Sequence, residues 1–122
     1  MKILAVDDSF TMRSLIKKAI TGLGYKDIVL CKSGEKALAL LEKEKFDLIL
    51  LDWHMPGYTG LDFLRIAKNA ENTKDIPVIM LTTEKHPLSI EEALGCGAAA
   101  YMIKPIEPDH FQEIIKQIFG DS

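Results

Sequence analysis

The chain has 122 residues, 48% hydrophobic and 27% charged, the profile of one soluble domain able to bury roughly two-thirds of its unfolded surface without covalent or metal staples. Its formal net charge of −3 argues against a nucleic-acid partner, because phosphate backbones are met by clustered Lys and Arg, although that total leaves room for a local basic patch. No apolar run approaches the roughly 20 residues of a membrane span, and MKILAVDD meets acids too early for a signal peptide, so a cytoplasmic protein with no membrane insertion is expected.

The first apolar run, residues 3–6, is too short for a helix and reads as a strand ended by acids. From Met12 the period changes: Met12, Leu15, Ile16, Ala19, Ile20 and Leu23 mark one helical face, with Ser9 or Thr11 as its cap and Gly22 and Gly24 as its stop. Residues 28–31 are β-branched and apolar, a second strand. Ala37, Leu38 and Leu41 then share a helical side after the Ser33-Gly34 break. The run FDLILL, residues 46–51, is apolar at nearly every position, as a strand buried on both faces of a parallel sheet should be. A turn-rich loop with Pro56, Gly57 and Gly60 leads to a helix over 61–70, and PVIML, 77–81, is a fourth strand. A short helix over 90–94 is stopped by Gly95 and Gly97, and 99–103 is a fifth strand. Phe111, Ile114, Ile115, Ile118 and Phe119 form the clearest helical stripe of the chain. Cys31 and Cys96 lack CxxC spacing and read as two buried thiols in a reducing compartment.

Five strands alternating with five helices make successive βαβ units with right-handed crossovers. The fold class is therefore α/β, a doubly wound five-stranded parallel sheet forming one domain over 1–122. Sites in such sheets lie beyond the carboxyl ends of the strands. Just after the apolar runs stand Asp7 and Asp8, Asp52, Thr82 and Thr83, and Lys104 followed by Pro105. Like charges about 4 Å apart repel by about 4 kcal/mol at an effective dielectric of about 20, so three carboxylates in one crevice call for a cation. Oxygen ligands favour a hard divalent ion, and Mg²⁺ suits one or two carboxylates, retained waters and phosphate oxygens. A lysine and a hydroxyl beside it complete a phosphoryl-transfer site in which an Asp can be the nucleophile. Each piece alone has an ordinary explanation: Asp7 and Asp8 as helix caps, Asp52 as a strand end, Thr82 as a β-former, Lys104 as a solvated surface lysine. Their joint placement at strand ends favours the site.

The segments VDDSFTMR, LLDWHMPGYTG, VIMLTTE and YMIKP resemble the receiver domains of two-component response regulators, with similarity over nearly the whole chain. Within that family the DD-x-x-TMR, DW-x-MP and Tyr-before-Lys-Pro patterns look most like CheY-type single-domain chemotaxis regulators. The resemblance, and not the periodicity, supplies the flavodoxin-like strand order 2-1-3-4-5, for which CheY itself is a standing example. It implies that Asp52 is the phosphoacceptor and that Asp7, Asp8, Asp52 and the His54 backbone carbonyl hold Mg²⁺. It implies that Thr82 and Lys104 contact the phosphoryl group, that the Lys104–Pro105 bond is cis, and that Tyr101 is a switch aromatic. The implied donor is a histidine kinase. The implied output is a downstream protein, a flagellar switch component among chemotaxis relatives, read through the helix 4, strand 5 and helix 5 face. No output domain is expected, and a monomer is the default. Such a protein catalyses only its own phosphorylation and dephosphorylation and is no enzyme in the usual sense.

His54 stands where those relatives commonly carry Asn, and with Glu84 it is expected to tune phosphoryl lifetime, against the plainer reading of a solvated side chain. Three rival functions remain: a receiver-like scaffold that is never phosphorylated, a Mg²⁺-dependent phosphatase and, more weakly, a flavodoxin-like cofactor carrier, for which the DDSFT loop is too acidic to cradle phosphate. The second would place its nucleophile after the first strand as D-x-D, where this chain has the adjacent pair Asp7-Asp8.

Overall fold

A computed structural model describes residues 1–55, 59–83 and 87–120, with the side chains of 87–89 excepted. Its elements alternate from end to end: β1 (Lys2–Val6), α1 (Phe10–Gly22), β2 (Asp27–Cys31), α2 (Gly34–Lys43), β3 (Leu48–Asp52), α3 (Gly60–Lys68), β4 (Val78–Thr82), α4 (Pro87–Gly95), β5 (Ala100–Ile103) and α5 (Pro108–Phe119). All strand pairs are parallel, in the order β2-β1-β3-β4-β5, as the resemblance implies.

The period of two along each strand builds two cores. Leu4, Val6, Ile49, Leu51, Val78 and Met80 face one way and meet Ala37 and Leu41 of α2, Phe63, Leu64 and Ala67 of α3, and Ala93 of α4. Ile3, Ala5, Leu48, Leu50, Ile79 and Leu81 face the other way and meet Ile16 and Ile20 of α1 with Phe111, Ile114 and Ile115 of α5. Because β1, β3 and β4 lie inside the sheet, both of their faces are covered, which is why their runs are apolar almost throughout. Each fully buried aliphatic side chain contributes about 1.5–3 kcal/mol.

Local signals set the helix starts. Ser9, Ser33 and Thr59 cap α1, α2 and α3, their hydroxyls accepting from the amides of Met12, Lys36 and Asp62 at 3.2 Å each. Of the two candidate caps for α1, Ser9 holds the position. Three expectations shift. Leu15 and Phe119, placed on buried helical faces by the pattern, are exposed at 47% and 40%, because each lies at the margin of its stripe. Cys31 is buried but Cys96, just past the end of α4, is half-buried, so only one of the two thiols is fully enclosed. The fourth helix is longer than the 90–94 pattern shows, because its first turn begins at Pro87, whose fixed φ suits a helix start.

Candidate functional site

Three neighbouring strands, β1, β3 and β4, and the edge strand β5 end at one rim of the sheet and bring the singled-out residues together. Asp7 follows β1, Asp52 closes β3, Thr82 closes β4 and Lys104 follows β5. Asp7 is fully buried, and Asp52 and Thr82 are 4% and 5% exposed, whereas Asp8 is exposed. One carboxylate oxygen from each of Asp7, Asp8 and Asp52 lies within 4.8 Å of the others.

Lys104 is the cation of this crevice. Its ammonium donates to Asp7 Oδ2 and to Asp52 Oδ1, both at 2.7 Å, and its side chain is only 9% exposed. Its amide donates to the Thr82 carbonyl at 2.8 Å, which continues the β4–β5 ladder and aims the side chain back over the sheet end. The Lys104–Pro105 bond is cis, as the resemblance implies. The solvated-lysine alternative is thereby set aside.

The carboxylates are held before any ligand arrives. Asp7 Oδ1 accepts from the Ser9 amide at 2.9 Å, and the Asp7 amide donates to the Cys31 carbonyl at 3.0 Å. Asp52 Oδ1 also accepts weakly from the His54 amide at 3.4 Å. Burial pushes the Asp52 carboxyl above its ordinary value. The Lys104 hydrogen bond pulls it down, the Asp7 charge adds to the rise, and burial wins. For Lys104, burial acts to lower the value, but the hydrogen bonds and charges of Asp52 and Asp7 together hold it above the usual lysine range. The ammonium thus stays charged between two acids. Among the described residues three carboxylates face one ammonium, which leaves an acidic excess, and the donors are all oxygen. That set fits a hard divalent cation such as Mg²⁺.

Two residues that the strand-end pattern does not mark also shape the crevice. Arg13, one turn into α1, donates from Nη1 to the Asp7 carbonyl at 2.8 Å and so fixes the main chain that carries this acid. Gly60, the first residue of α3, lies against the end of β3. A Cβ there would come within 2.6 Å of the Asp52 carbonyl and 2.9 Å of the Trp53 Cα, while the Gly60 amide donates to the Trp53 carbonyl at 2.9 Å. Only glycine lets α3 start this close. A glycine closing a loop is the single sequence cue to it, and the weight of Arg13 is visible only in three dimensions.

Trp53 is half-buried against the core cluster on the α2–α3 side and directly follows Asp52 in the chain. The His54 side chain is exposed and Tyr101, at 36%, lies at the surface of β5. Glu84 falls outside the described residues, so its expected role stays a sequence-based one. Among the described residues every buried side-chain polar atom has a partner.

Comparison with known proteins matches a family model, the response regulator receiver domain, to residues 3–116. The chain is 40% identical over 119 residues to the chemotaxis protein CheY of Pseudomonas aeruginosa, covering 98% of this chain and 96% of that one. The structure of the Vibrio cholerae chemotaxis protein CheY4 superposes with a TM-score of 0.88 at 32% identity, covering 97% of this chain and 98% of that one. The receiver domain of the sensor histidine kinase PA1611 from Pseudomonas aeruginosa, solved with magnesium coordinated in its active-site cleft, superposes with a TM-score of 0.86 at 28% identity and 98% coverage of both chains.

Proposed function

The chain belongs to the response regulator receiver domain family, and from that premise we propose that it is a phosphoacceptor switch that takes a phosphoryl group on Asp52 from a histidine kinase. One observation carries the reading: Asp7, Asp8 and Asp52 converge within 4.8 Å at the strand ends, with Lys104 bonded to two of them.

In this reading Asp7, Asp8 and Asp52, with the His54 carbonyl, hold Mg²⁺. When bound, the ion offsets the negative charge that gathers as the phosphoryl group approaches. Asp52 attacks the phosphorus through a carboxylate oxygen, the bond to the donor nitrogen breaks, and the released imidazole takes up a proton. Lys104 moves from its carboxylate pair toward a phosphoryl oxygen, and Thr82 donates its hydroxyl to another. Burial of Asp52 limits solvent access to its carboxylate, and Arg13 and Gly60 hold the flanking main chain.

The added charge is then read at a distance. Lys104 and Tyr101 both line one groove of about 920 Å³ between α4, β5 and α5, with Ile90, Leu94, His110 and Ile114. Displacement of Lys104 and Thr82 toward the phosphoryl group opens room for Tyr101 to turn inward, which changes that face for a protein partner. Likeness to chemotaxis proteins supports a role in motility, with a flagellar switch component as the target. The receiver works as a monomer in the cytoplasm, alongside its kinase donor, and does no chemistry beyond its own phosphorylation and dephosphorylation. His54 tunes phosphoryl lifetime by shaping the path of the attacking water, with Glu84 on the opposite wall.

Trp53 provides the test, since it is the chain's only tryptophan. Its fluorescence should change saturably with Mg²⁺ and again with acetyl phosphate, relaxing as the donor is consumed. No response to either addition sinks the reading and favours an unphosphorylated scaffold.

A further inference from the structure

A second recognition surface lies on the β2 side of the sheet, away from the α4–β5–α5 groove. β2 ends the strand order and pairs only with β1. Beside it runs a groove of about 540 Å³ lined by Arg13 of α1, by Leu30 and Lys32 at the end of β2, and by Lys36, Leu40 and Lys43 of α2. Lys36, Leu40 and Lys43 are spaced four and three residues apart, so they share one helical face with the leucine between the two lysines.

Surface lysines are usually only solvated, but three features set these apart. Four cations converge on one concavity and, among the described residues, no acidic side chain lines it, in a chain whose net charge is −3. Among the described residues Lys32, Lys36 and Lys43 form no ion pair, although Glu35, Glu42 and Glu44 stand next to Lys36 and Lys43 in the chain. The floor between the cations is apolar, made by the half-buried Leu30 and Leu40.

We propose that this groove docks an acidic segment of a partner protein, with Asp or Glu side chains flanking one apolar side chain. The carboxylates would meet the four cations, and the apolar side chain would lie on Leu30 and Leu40. A peptide fits better than a lipid surface for two reasons. The apolar part is recessed between charges, and the adjoining strand has one main-chain edge outside the sheet ladder, which an extended segment can use. Arg13 is shared with the strand-end crevice, where its Nη1 bonds the Asp7 carbonyl, but Lys32, Lys36 and Lys43 belong to the groove alone, and phosphorylation of Asp52 is not required.

The test is fluorescence anisotropy of a short fluorescein-labelled peptide of Glu and Asp residues flanking a single Leu, titrated with the full chain. Lys36→Glu/Lys43→Glu reverses the exposed α2 rim, whereas Lys45→Glu/Lys116→Glu makes the same change in net charge at exposed positions outside the groove. The wild-type chain should bind saturably with a Kd below about 1 mM. The groove pair should weaken binding about tenfold or more, the control pair by less than about twofold, and added salt should weaken it in the wild type. An unchanged Trp53 response to Mg²⁺ in the groove pair would show that the strand-end crevice is intact. The proposal is overturned by an absence of saturable peptide binding, or by equal losses in the two variant pairs. It is likewise overturned if phosphatidylserine-containing vesicles bind the wild type, and not the groove pair, while the peptide does not bind.

Discussion

Replacing Lys104 with Ala removes the one ammonium that Asp7 Oδ2 and Asp52 Oδ1 share at 2.7 Å, while both carboxylates stay buried, with side chains 0% and 6% exposed. Breaking a buried ion pair by deleting one partner costs about 3–5 kcal/mol, a large part of the roughly 5–15 kcal/mol that holds a domain together. The loss should depend on pH with a definite sign. Burial already raises Asp52 above its ordinary value, and the Lys104 hydrogen bond is among the influences that lower it, so Lys104→Ala raises it further. A carboxyl with a raised folded pKa penalises the fold when charged. That penalty is full above the folded pKa and fades as pH falls through it toward the unfolded value of about 3.9. The deficit of Lys104→Ala is therefore greatest near neutral pH and shrinks on acidification. Urea unfolding followed by Trp53 fluorescence in EDTA measures it. Mg²⁺ at about 100 times its Kd should add back about 2.7 kcal/mol, since a divalent cation supplies the charge the variant lacks. A loss below about 1 kcal/mol in EDTA, equal at neutral and acid pH, would refute Lys104 as the counter-ion of the crevice.

Further expectations rest on single contacts. Gly60→Ala forces a Cβ against the Asp52 carbonyl and the Trp53 main chain, and should cost roughly 1–3 kcal/mol in urea unfolding while weakening the Trp53 response to Mg²⁺. Lys68 is drawn below the usual lysine value by burial, the nearby Asp75 charge opposing, and donates to the carbonyls of Lys74 and Ile76 at 3.1 and 2.6 Å. In an NMR titration of lysine side chains it should lose its proton ahead of Lys104. Its charged form is penalised by folding, so its share of that penalty is present at neutral pH and is relieved as pH rises through its folded pKa toward 10.5. His54→Asn should change the decay rate of the phosphorylated state, measured after acetyl phosphate is removed, and equal rates would end the tuning role.

Much of this was readable from the sequence because burial on both faces leaves a plain signature. The interior strands β1, β3 and β4 are short and almost wholly apolar, so their ends, and the polar residues standing there, are visible as breaks. Asp7, Asp52, Thr82 and Lys104 were legible in that way. Partners across the sheet were not, because Lys104 meets Asp7 and Asp52 over separations of 97 and 52 residues. Arg13 reads as one more helical cation, and its bond to the Asp7 carbonyl follows from how α1 folds back on β1. Margins were also opaque: Leu15 and Phe119 fit a helical period yet sit at the edge of the buried arc, where the sequence gives no depth. The strand order came from likeness to a family, since parallel strands of similar composition do not announce their neighbours.

The most direct test of the account is intact-mass measurement and peptide mapping of the wild type and Asp52→Asn after treatment with Mg²⁺ and acetyl phosphate. The account predicts a single phosphoryl group on the wild-type peptide containing Asp52, absent without Mg²⁺ and absent from the variant. A label on another residue, one that persists undiminished in Asp52→Asn, or none on the wild type would contradict it.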